Sequence, residues 1–274
     1  MTVLTGTFDR PLGAVLRPFS GLAVMGRVIY ALVLRESRTR YGRNAFGFVW
    51  AFLGPLAWVA LYVIFRVWMN DKHPPFGQSI YIWAAGGILV YKLYSSIAGR
   101  LTGSISSNRQ LLAYPIVNVT DTMIARGVLE TATMLVVLIF VWVVLKQIED
   151  IRIIHHPETV MIAIATMICL GYALGSFNGV LAGLFPTWGN IWGLMGMPMF
   201  ITSGALFVPS QMPPLVLEIL AWHPVLNCIE WMRDGIFLNY TPVLDRQYIW
   251  SFIVFFLFAA FLMERLCRRQ LLER

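Results

Sequence analysis

The chain has 274 residues, of which 58% are hydrophobic and only 13% are charged, and its formal net charge is +7. Soluble domains average about 45–50% apolar and about 25% charged residues, so this composition excludes an ordinary soluble globular protein. A helix crosses the hydrocarbon core of a bilayer with about 20 mostly apolar residues, and several stretches of this length are present. The sequence therefore predicts an all-α membrane protein.

The predicted elements begin with an amphipathic helix over residues 21–41, which Gly42 is expected to end. Its apolar residues share one face and its arginines cluster near its end, a pattern typical of a helix at the membrane surface. Six predicted transmembrane helices follow, and Asp121 is expected to cap the third. These six cover approximately residues 46–68, 80–97, 122–145, 159–184, 188–207 and 248–263.

Two polar segments between the predicted spans do not fit a simple loop. Residues 99–119 form a long connection after the second span. Residues 208–246 contain two short apolar pieces, 214–222 and 225–238, each too short to cross a bilayer. We expect these pieces to form re-entrant helices, because irregular backbone is tolerated at membrane depth only against protein or a watery cavity.

The distribution of arginine predicts the orientation of the chain. Seven arginines precede residue 44, two lie within residues 99–119, and four follow residue 264. With six spans these three regions share one side of the membrane, and the side richer in lysine and arginine is cytoplasmic. We therefore expect cytoplasmic termini, a cytoplasmic 99–119 segment and a periplasmic 208–246 segment.

A nucleotide site of the phosphate-loop type is excluded on the chain itself. Such a loop requires Gly-Lys-Ser/Thr after a glycine-rich turn, and none of the three lysines, Lys72, Lys92 and Lys146, follows a glycine. If ATP drives this protein, the ATPase must be a separate subunit. We therefore expect no cofactor on this chain, with ATP and magnesium bound by the partner.

Two groups of histidines offer other chemistry. Residues 155–158 contain two adjacent histidines and a glutamate, but adjacent histidines point apart, so a solvated loop is favoured and no metal site is predicted. His223 with Glu230 and Asp234 resembles an acid–base set, as in a membrane-bound sugar acyltransferase. Because no serine nucleophile elbow accompanies it, this enzymatic interpretation is the weaker alternative, and we predict a protein that is not an enzyme.

Aromatic side chains in the first two predicted spans allow two interpretations, interfacial anchoring or the lining of a substrate path. Anchors lie at the ends of a span, whereas Trp58 and Tyr62 lie near its middle, and the C–H faces of sugars pack on aromatic rings. Lys92 is a cation within a span and is a candidate contact for an anionic substrate. The candidate path residues are Trp58, Tyr62, Phe65, Trp68, Tyr81, Trp83, Tyr91, Lys92 and Tyr94.

Two further charged residues, Arg126 and Glu130, lie inside the third predicted span and are four positions apart. Residues at this spacing are neighbours on a helix surface, so a pair of opposite charge can form between them. Burying either charge alone in the membrane is costly. We therefore expect Arg126 and Glu130 to pair with each other.

Three motifs carry a resemblance to a known family. Residues 38–56 contain Arg-Thr-Arg-Tyr-Gly-Arg-Asn, then Gly-Phe-Val-Trp-Ala and Pro-Leu, and residues 108–115 read Asn-Arg-Gln-Leu-Leu-Ala-Tyr-Pro. Residues 224–237 contain Pro, Ile-Glu, Arg-Asp-Gly and Phe. Together they resemble KpsM-type capsular polysaccharide export permeases of the ABC type 2 family, over about residues 21–266. His223 departs from the pattern, since family members often have asparagine there.

The resemblance implies a subunit of an exporter of lipid-linked capsular polysaccharide in the inner membrane of a Gram-negative bacterium. It implies a homodimer with two ATP-binding cassette ATPase subunits (KpsT-type), a possible periplasmic co-polymerase (KpsE-type) and an outer-membrane exporter. Nucleic acid is not an expected partner. Related permeases for O-antigen, teichoic acid or a small lipid or drug are the alternative.

The resemblance also assigns roles along a single permease domain, residues 1–274. Residues 21–41 correspond to the interface helix, residues 99–119 to the cytoplasmic coupling loop and residues 208–246 to the periplasmic re-entrant segment. The implied ATPase-coupling residues are Arg38, Arg40, Asn108, Arg109, Leu112 and Tyr114, and the implied outer gate contains Trp222, His223, Glu230, Trp231 and Arg233.

Overall fold

The computed structural model describes residues 17–42, 46–70, 73–112, 117–149 and 154–273, and these residues form helices joined by loops, without strands. This confirms the predicted all-α class. A π-helical segment, Ala85–Leu89, lies between α3 and α4, and a 3-10 turn, Pro209–Gln211, precedes α10. The α-helices are α1 (Arg17–Tyr41), α2 (Phe46–Trp68), α3 (Ile80–Ala84), α4 (Val90–Thr102), α5 (Ser104–Ser107), α6 (Arg109–Leu112), α7 (Val119–Ile148), α8 (Pro157–Leu184), α9 (Trp188–Thr202), α10 (Pro214–Ala221), α11 (Pro224–Ile236) and α12 (Arg246–Glu273).

Two helix ends follow local rules that the sequence carries. Gly42 ends α1 with φ at 62°, a left-handed conformation that suits glycine, and its N–H donates to the Arg38 carbonyl at 3.0 Å. At the start of α7, Asn118 rather than Asp121 is the N-cap residue. The Asp121 carboxylate accepts from the Asn118 N–H at 3.0 Å, so the predicted capping residue is the third residue of the helix.

Five segments of the described chain have the length and composition of a transmembrane helix, and α10 with α11, bent by 101°, is a sixth candidate. The predicted fifth span, residues 188–207, is wrong in length. Its helix α9 has 15 residues, or about 22 Å, against a hydrocarbon core of roughly 30 Å. It ends at Thr202 because the chain turns at Gly204, where φ is 75°. The five segments are Val49–Trp68, Ile80–Thr102, Val119–Ile148, Pro157–Leu184 and Arg246–Leu271.

Helices α4, α8 and α12 run in the same direction, and α7 runs against them. Gly183 of α8 lies beside Ile105, just after α4, and beside Leu271 near the end of α12. The Arg126 guanidinium of α7 donates to the Gly103 carbonyl at 2.9 Å at this same end. We call this end, where α4, α8 and α12 finish, the arginine-rich end, and the opposite one the far end.

Small residues along α8 set the packing at the centre of the fold. Glycines recur every fourth position at residues 171, 175, 179 and 183, on the face that meets α4 and α5. A Cβ at Gly175 would lie 2.8 Å from the Ala98 Cα, and one at Gly179 would lie 2.7 Å from the Leu101 carbonyl oxygen. The helix backbones can therefore approach closely, as small residues spaced by four allow in membrane helices.

The helix pair α10–α11 begins and ends at the far end, where hydrogen bonds hold it. The His156 N–H donates to the Gly235 carbonyl at 2.9 Å, next to the first turn of α8. The Tyr248 hydroxyl, in the first turn of α12, donates to the Trp222 carbonyl at 2.7 Å. Because both ends of α11 therefore lie near helix starts at the far end, the pair has the contacts of a re-entrant hairpin.

Candidate functional site

Helix α1 is joined to α7 and to the segment after α4 by a charged network. The Glu36 carboxylate of α1 pairs with the Arg126 guanidinium at 2.9 Å. Arg126 also donates to the Gly103 carbonyl at 2.9 Å, where the chain turns from α4 into α5. One guanidinium therefore contacts three elements, so a displacement of the Gly103 turn acts directly on α1 and α7.

Glu130 joins a second set of arginines at the same end. Its buried carboxylate forms an ion pair with Arg40 of α1 and another with Arg100 of α4, at 3.4 Å in the latter case. The predicted pairing of Arg126 with Glu130 is therefore wrong. Partners from α1 and α4 satisfy both charges. The spacing of residues along α7 could not predict these partners, because they belong to other helices.

Of the predicted ATPase-coupling residues, Arg40 is half-buried and pairs with Glu130, and the others differ in exposure. Asn108 and Leu112 are buried, and Asn108 accepts a hydrogen bond from the Arg35 guanidinium at 3.2 Å. Arg38 and Arg109 are exposed. Tyr114 lies outside the described residues. Contact of this segment with an ATPase remains a prediction, with Asn108 placed as an internal link to α1 rather than as a surface contact.

Among the described residues, two cavities of several hundred Å³ lie at the arginine-rich end, and Gly99 lines both. The smaller, about 380 Å³, lies between α1, α2, α4 and α7 and includes Arg40, Arg100 and Glu130. The larger, about 570 Å³, lies between α4, α5, α8 and α9. Its lining residues are Gly99, Thr102, Gly103, Ile105, Ser106, Arg109, Ala182, Gly183, Pro186, Gly189, Trp192 and Gly193.

The predicted path residues do not lie on one surface. Trp83, Tyr91 and Tyr94 are buried within the protomer, and their place along a substrate path remains a prediction. By contrast, Phe65 and Trp68 of α2 are 54% and 78% exposed. Tyr81, at the start of the second span, is also exposed.

The remaining three path residues make contacts that fix the middle of α2. The Lys92 ammonium lies 4.0 Å from the centre of the Trp58 ring, a cation–π contact. The Trp58 ring also packs edge-on against Phe200 of α9 at 5.3 Å. Tyr62 donates to the Leu206 carbonyl at 3.5 Å. Lys92 is thus engaged by an aromatic ring within the protomer, and its contact with a substrate remains a prediction.

At the far end, Arg233 of α11 is a fully buried cation. Its guanidinium lies 3.6 Å from the centre of the Trp83 ring. It donates to the carbonyls of Phe207 at 2.9 Å and Ala205 at 3.1 Å, and it lies 3.4 Å from Glu230. A single side chain therefore connects the hairpin to α3 and to the segment that follows α9.

Glu230, equally buried, completes this cluster. It accepts from the Tyr240 hydroxyl at 2.7 Å and from the Val243 N–H at 3.0 Å. Burial raises the pKa of Tyr240 above its usual value, so the hydroxyl keeps its proton and remains a donor. The loop after α11 is thereby tied to the hairpin by satisfied hydrogen bonds, as a buried charge requires.

The other predicted gate residues have local structural roles. His223 is the N-cap of α11, and its Nδ1 accepts from the Leu226 N–H at 3.2 Å. Asparagine is a common N-cap, so histidine preserves the cap with a ring nitrogen. Trp231 is buried, and Trp222 is exposed and packs edge-on against Tyr248 at 5.7 Å.

The histidines of the alternative metal and acid–base interpretations make structural contacts: His223 caps α11, and His155 contacts the end of the same helix. His155 Nδ1 lies 2.7 Å from the Ile236 carbonyl, which ties the loop before α8 to the end of α11. Within the described ranges, no group of three or more His, Cys, Asp or Glu side chains is placed to hold a metal ion.

Sequence reasoning missed Arg35, Glu36 and Tyr240, which complete these networks. Along the sequence, Arg35 and Glu36 are simply polar residues of the amphipathic helix, whereas their partners across the fold give them specific roles. The four-residue glycine repeat of α8 was also missed. Its period was visible in the sequence and would have predicted close helix packing.

Comparisons with known proteins agree with this architecture. The family model described as ABC-2 type transporter matches residues 27–237. The chain is 32% identical over 217 residues to the capsule polysaccharide export inner-membrane protein BexB of Haemophilus influenzae. The aligned residues are 79% of this chain and 81% of the relative. The chain is 34% identical over 220 residues to CtrC, with the same description, from Neisseria meningitidis serogroup B, covering 80% and 82%.

The polysialic acid transport protein KpsM of Escherichia coli is 27% identical over 222 residues, covering 81% of this chain and 85% of the relative. The family match spans most of the chain, including α2, the α4–α7 connection and the re-entrant hairpin. It identifies a membrane permease, the transport subunit rather than the ATPase. The chain therefore belongs to the ABC-2 type transporter family.

Proposed function

We propose that this chain is the membrane permease of an ATP-driven exporter that moves lipid-linked capsular polysaccharide across the inner membrane of a Gram-negative bacterium. One observation carries the proposal: relatives described as capsule polysaccharide export inner-membrane proteins are 32% and 34% identical over about four fifths of both chains. The all-helical fold with five or six candidate spans suits this role.

The working unit is a homodimer of permeases with two ATPase subunits. A polar polymer loses hydrogen bonds to water in hydrocarbon, at a cost of several kcal/mol for each unpaired group, so it requires an enclosed polar path. One protomer leaves more than half of the described residues of α2 and of α9 exposed, so these two helices offer an open wall. Two copies facing each other provide the second wall.

The arginine-rich end is cytoplasmic and couples to the ATPase. Segment 99–119, which includes the exposed Arg109, forms the contact, and α1 lies along the membrane surface beside it. When ATP binding draws the ATPase subunits together, segment 99–119 moves with them. This movement is transmitted to α1 through Arg35 and Asn108, and to α7 through Arg126.

The far end is periplasmic, and the α10–α11 hairpin within residues 208–246 closes the path there. Arg233 and Glu230 hold the hairpin against α3 and the segment after α9, so the closed position is defined by buried contacts. The exposed aromatic residues of α2, including Phe65, contribute weak stacking along the path. Many weak contacts allow a polymer to slide, whereas one tight site would hold it.

Deletion and complementation in an encapsulated host test the proposal. Deletion is expected to remove polysaccharide from the cell surface and leave it inside the cell, and the intact gene to restore export. A pull-down of the tagged chain from membranes is expected to recover a distinct ATPase. An unaltered capsule in the deletion strain, or a purified complex without an ATPase, would contradict the proposal. Loss of O-antigen with the capsule retained would reassign the cargo.

The aromatic path is tested by a matched pair of exposed phenylalanines. Phe65 of α2 is 54% exposed and lies in the proposed path, whereas Phe258 of α12 is 66% exposed and lies outside it. Phe65→Ala is expected to reduce surface polysaccharide several-fold at equal protein level in the membrane, and Phe258→Ala to leave it unchanged. Equal export by the two variants would remove Phe65 from the path.

A further inference from the structure

The larger cavity at the arginine-rich end has the composition of a carbohydrate site. We call it the vestibule cavity; its lining comes from α4, α5, α8 and α9. The half-buried Trp192 provides an indole face, and the hydroxyls of Thr102 and Ser106, which donate to backbone carbonyls of α4 and of the Gly103 turn, provide hydrogen-bond acceptors. Sugars use both kinds of surface, because their C–H faces pack on aromatic rings while their hydroxyls require hydrogen-bonding partners.

The charge of the vestibule cavity selects among carbohydrates. Among the described lining residues, Arg109 is a cation and none is Asp or Glu. A guanidinium binds a carboxylate in a planar, two-pronged arrangement with charge-assisted hydrogen bonds. The chemistry therefore favours a sugar that carries a carboxylate over a neutral one.

Bare backbone forms part of the cavity wall. A Cβ added at Gly99, Gly189 or Gly193 would meet no atom within 4 Å, so these positions face open space. This differs from Gly175 and Gly179, whose missing side chains are required for contact between helices. Glycines that no packing contact requires leave room for a ligand to approach the backbone.

The position and size of the cavity suit a ligand that enters from the cytoplasmic side. It adjoins the Gly103 turn and Pro186, between α8 and α9, at the end where the coupling segment begins. Its volume of about 570 Å³ falls within the range of about 300–1,000 Å³ that is typical of small-molecule sites.

We propose that the vestibule cavity is a recognition subsite for an acidic sugar unit of the cargo, in which Trp192 stacks on the sugar ring and Arg109 binds its carboxylate. This inference rests on the proposed function and deepens it by naming the chemical class of the sugar and the residues that select it. Arg109 then serves selection in addition to its predicted place beside the ATPase.

Binding of a matched pair of oligosaccharides tests the subsite in the purified permease–ATPase complex without nucleotide. The probes are fluorescently labelled tetragalacturonate and its fully methyl-esterified form, which share a backbone and differ in charge; fluorescence polarisation measures their dissociation constants. The wild-type complex is expected to prefer the acidic probe. Arg109→Gln should weaken the acidic probe about tenfold and leave the ester unchanged, because the neutral glutamine amide can keep one of the two hydrogen bonds to the carboxylate but loses the other and the positive charge.

Three variants separate stacking and access from general damage. Trp192→Ala should weaken both probes several-fold, and Trp192→Phe should restore most of the affinity because the aromatic face remains. Gly193→Leu should block both probes by filling the cavity. Gly196→Leu is the matched control, because its Cβ also meets no atom within 4 Å and Gly196 does not line the cavity.

The outcomes distinguish this inference from the proposed function. Absence of binding to the wild-type complex, equal affinity for the two probes, or an Arg109→Gln effect on both probes would overturn the subsite. Equal effects of Gly193→Leu and Gly196→Leu would also overturn it. In any of these cases a capsule-negative deletion strain would still uphold polysaccharide export, whereas an intact capsule in that strain refutes export itself.

Discussion

Removal of the Arg233 side chain is expected to destabilise the far end of the protein severely. Breaking a buried ion pair by deleting one partner costs about 3–5 kcal/mol, and the lower figure applies because Glu230 keeps two hydrogen-bond donors, from Tyr240 and Val243. The desolvated contact of Arg233 with the Trp83 ring adds about 2 kcal/mol. At about 2–4 °C per kcal/mol, Arg233→Ala should lower the midpoint of thermal unfolding by 10 °C or more.

The assay is thermal unfolding of the detergent-purified protein, followed by tryptophan fluorescence. Arg246→Ala is the matched control, because Arg246 also contacts an acid and a tryptophan of the hairpin but is 63% exposed. Exposed ion pairs contribute less than about 1 kcal/mol, so its midpoint should move by no more than a few degrees. The double variant Glu230→Gln/Arg233→Met should recover part of the lost thermal stability, since it leaves no buried carboxylate without its cation. Equal midpoints for Arg233→Ala and Arg246→Ala would refute the reasoning.

Gly175→Val should overpack the contact between α4 and α8 and cost at least about 1–3 kcal/mol, lowering the thermal midpoint, whereas Gly196→Val should leave it unchanged. Matching midpoints would contradict close packing along α8. Glu130→Gln should loosen α1, so trypsin should cleave after Arg38 faster in inverted membrane vesicles; an unaltered rate would count against this tie. In a cysteine-free background, Ser106→Cys should react with a membrane-impermeant maleimide only in inverted vesicles. Labelling from outside intact cells would overturn the predicted orientation and the coupling role.

The predicted functional residues illustrate what patterns along one helix can and cannot supply. The motif around Arg233 marked it as important, but the spacing of α11 pairs it only with Glu230. Its two carbonyl partners, at Ala205 and Phe207, lie at the end of the predicted fifth span. In the same way, the spacing of Arg126 and Glu130 suggested a pair that the structure replaces with partners from α1 and α4.

The sequence by itself determined the approximate place of five long apolar helices, of the amphipathic α1 and of the helical pair before α12, but it overestimated the length of a sixth apolar helix, α9. These features depend on composition and on period, which are local and readable along the chain. The tertiary structure alone decided that α9 stops at Gly204, that Trp83 and Tyr94 are buried, and that Arg109 shares a cavity with Trp192. The physical reason is that burial and charge pairing depend on which helices pack together, and these tertiary contacts join residues that are far apart in the chain.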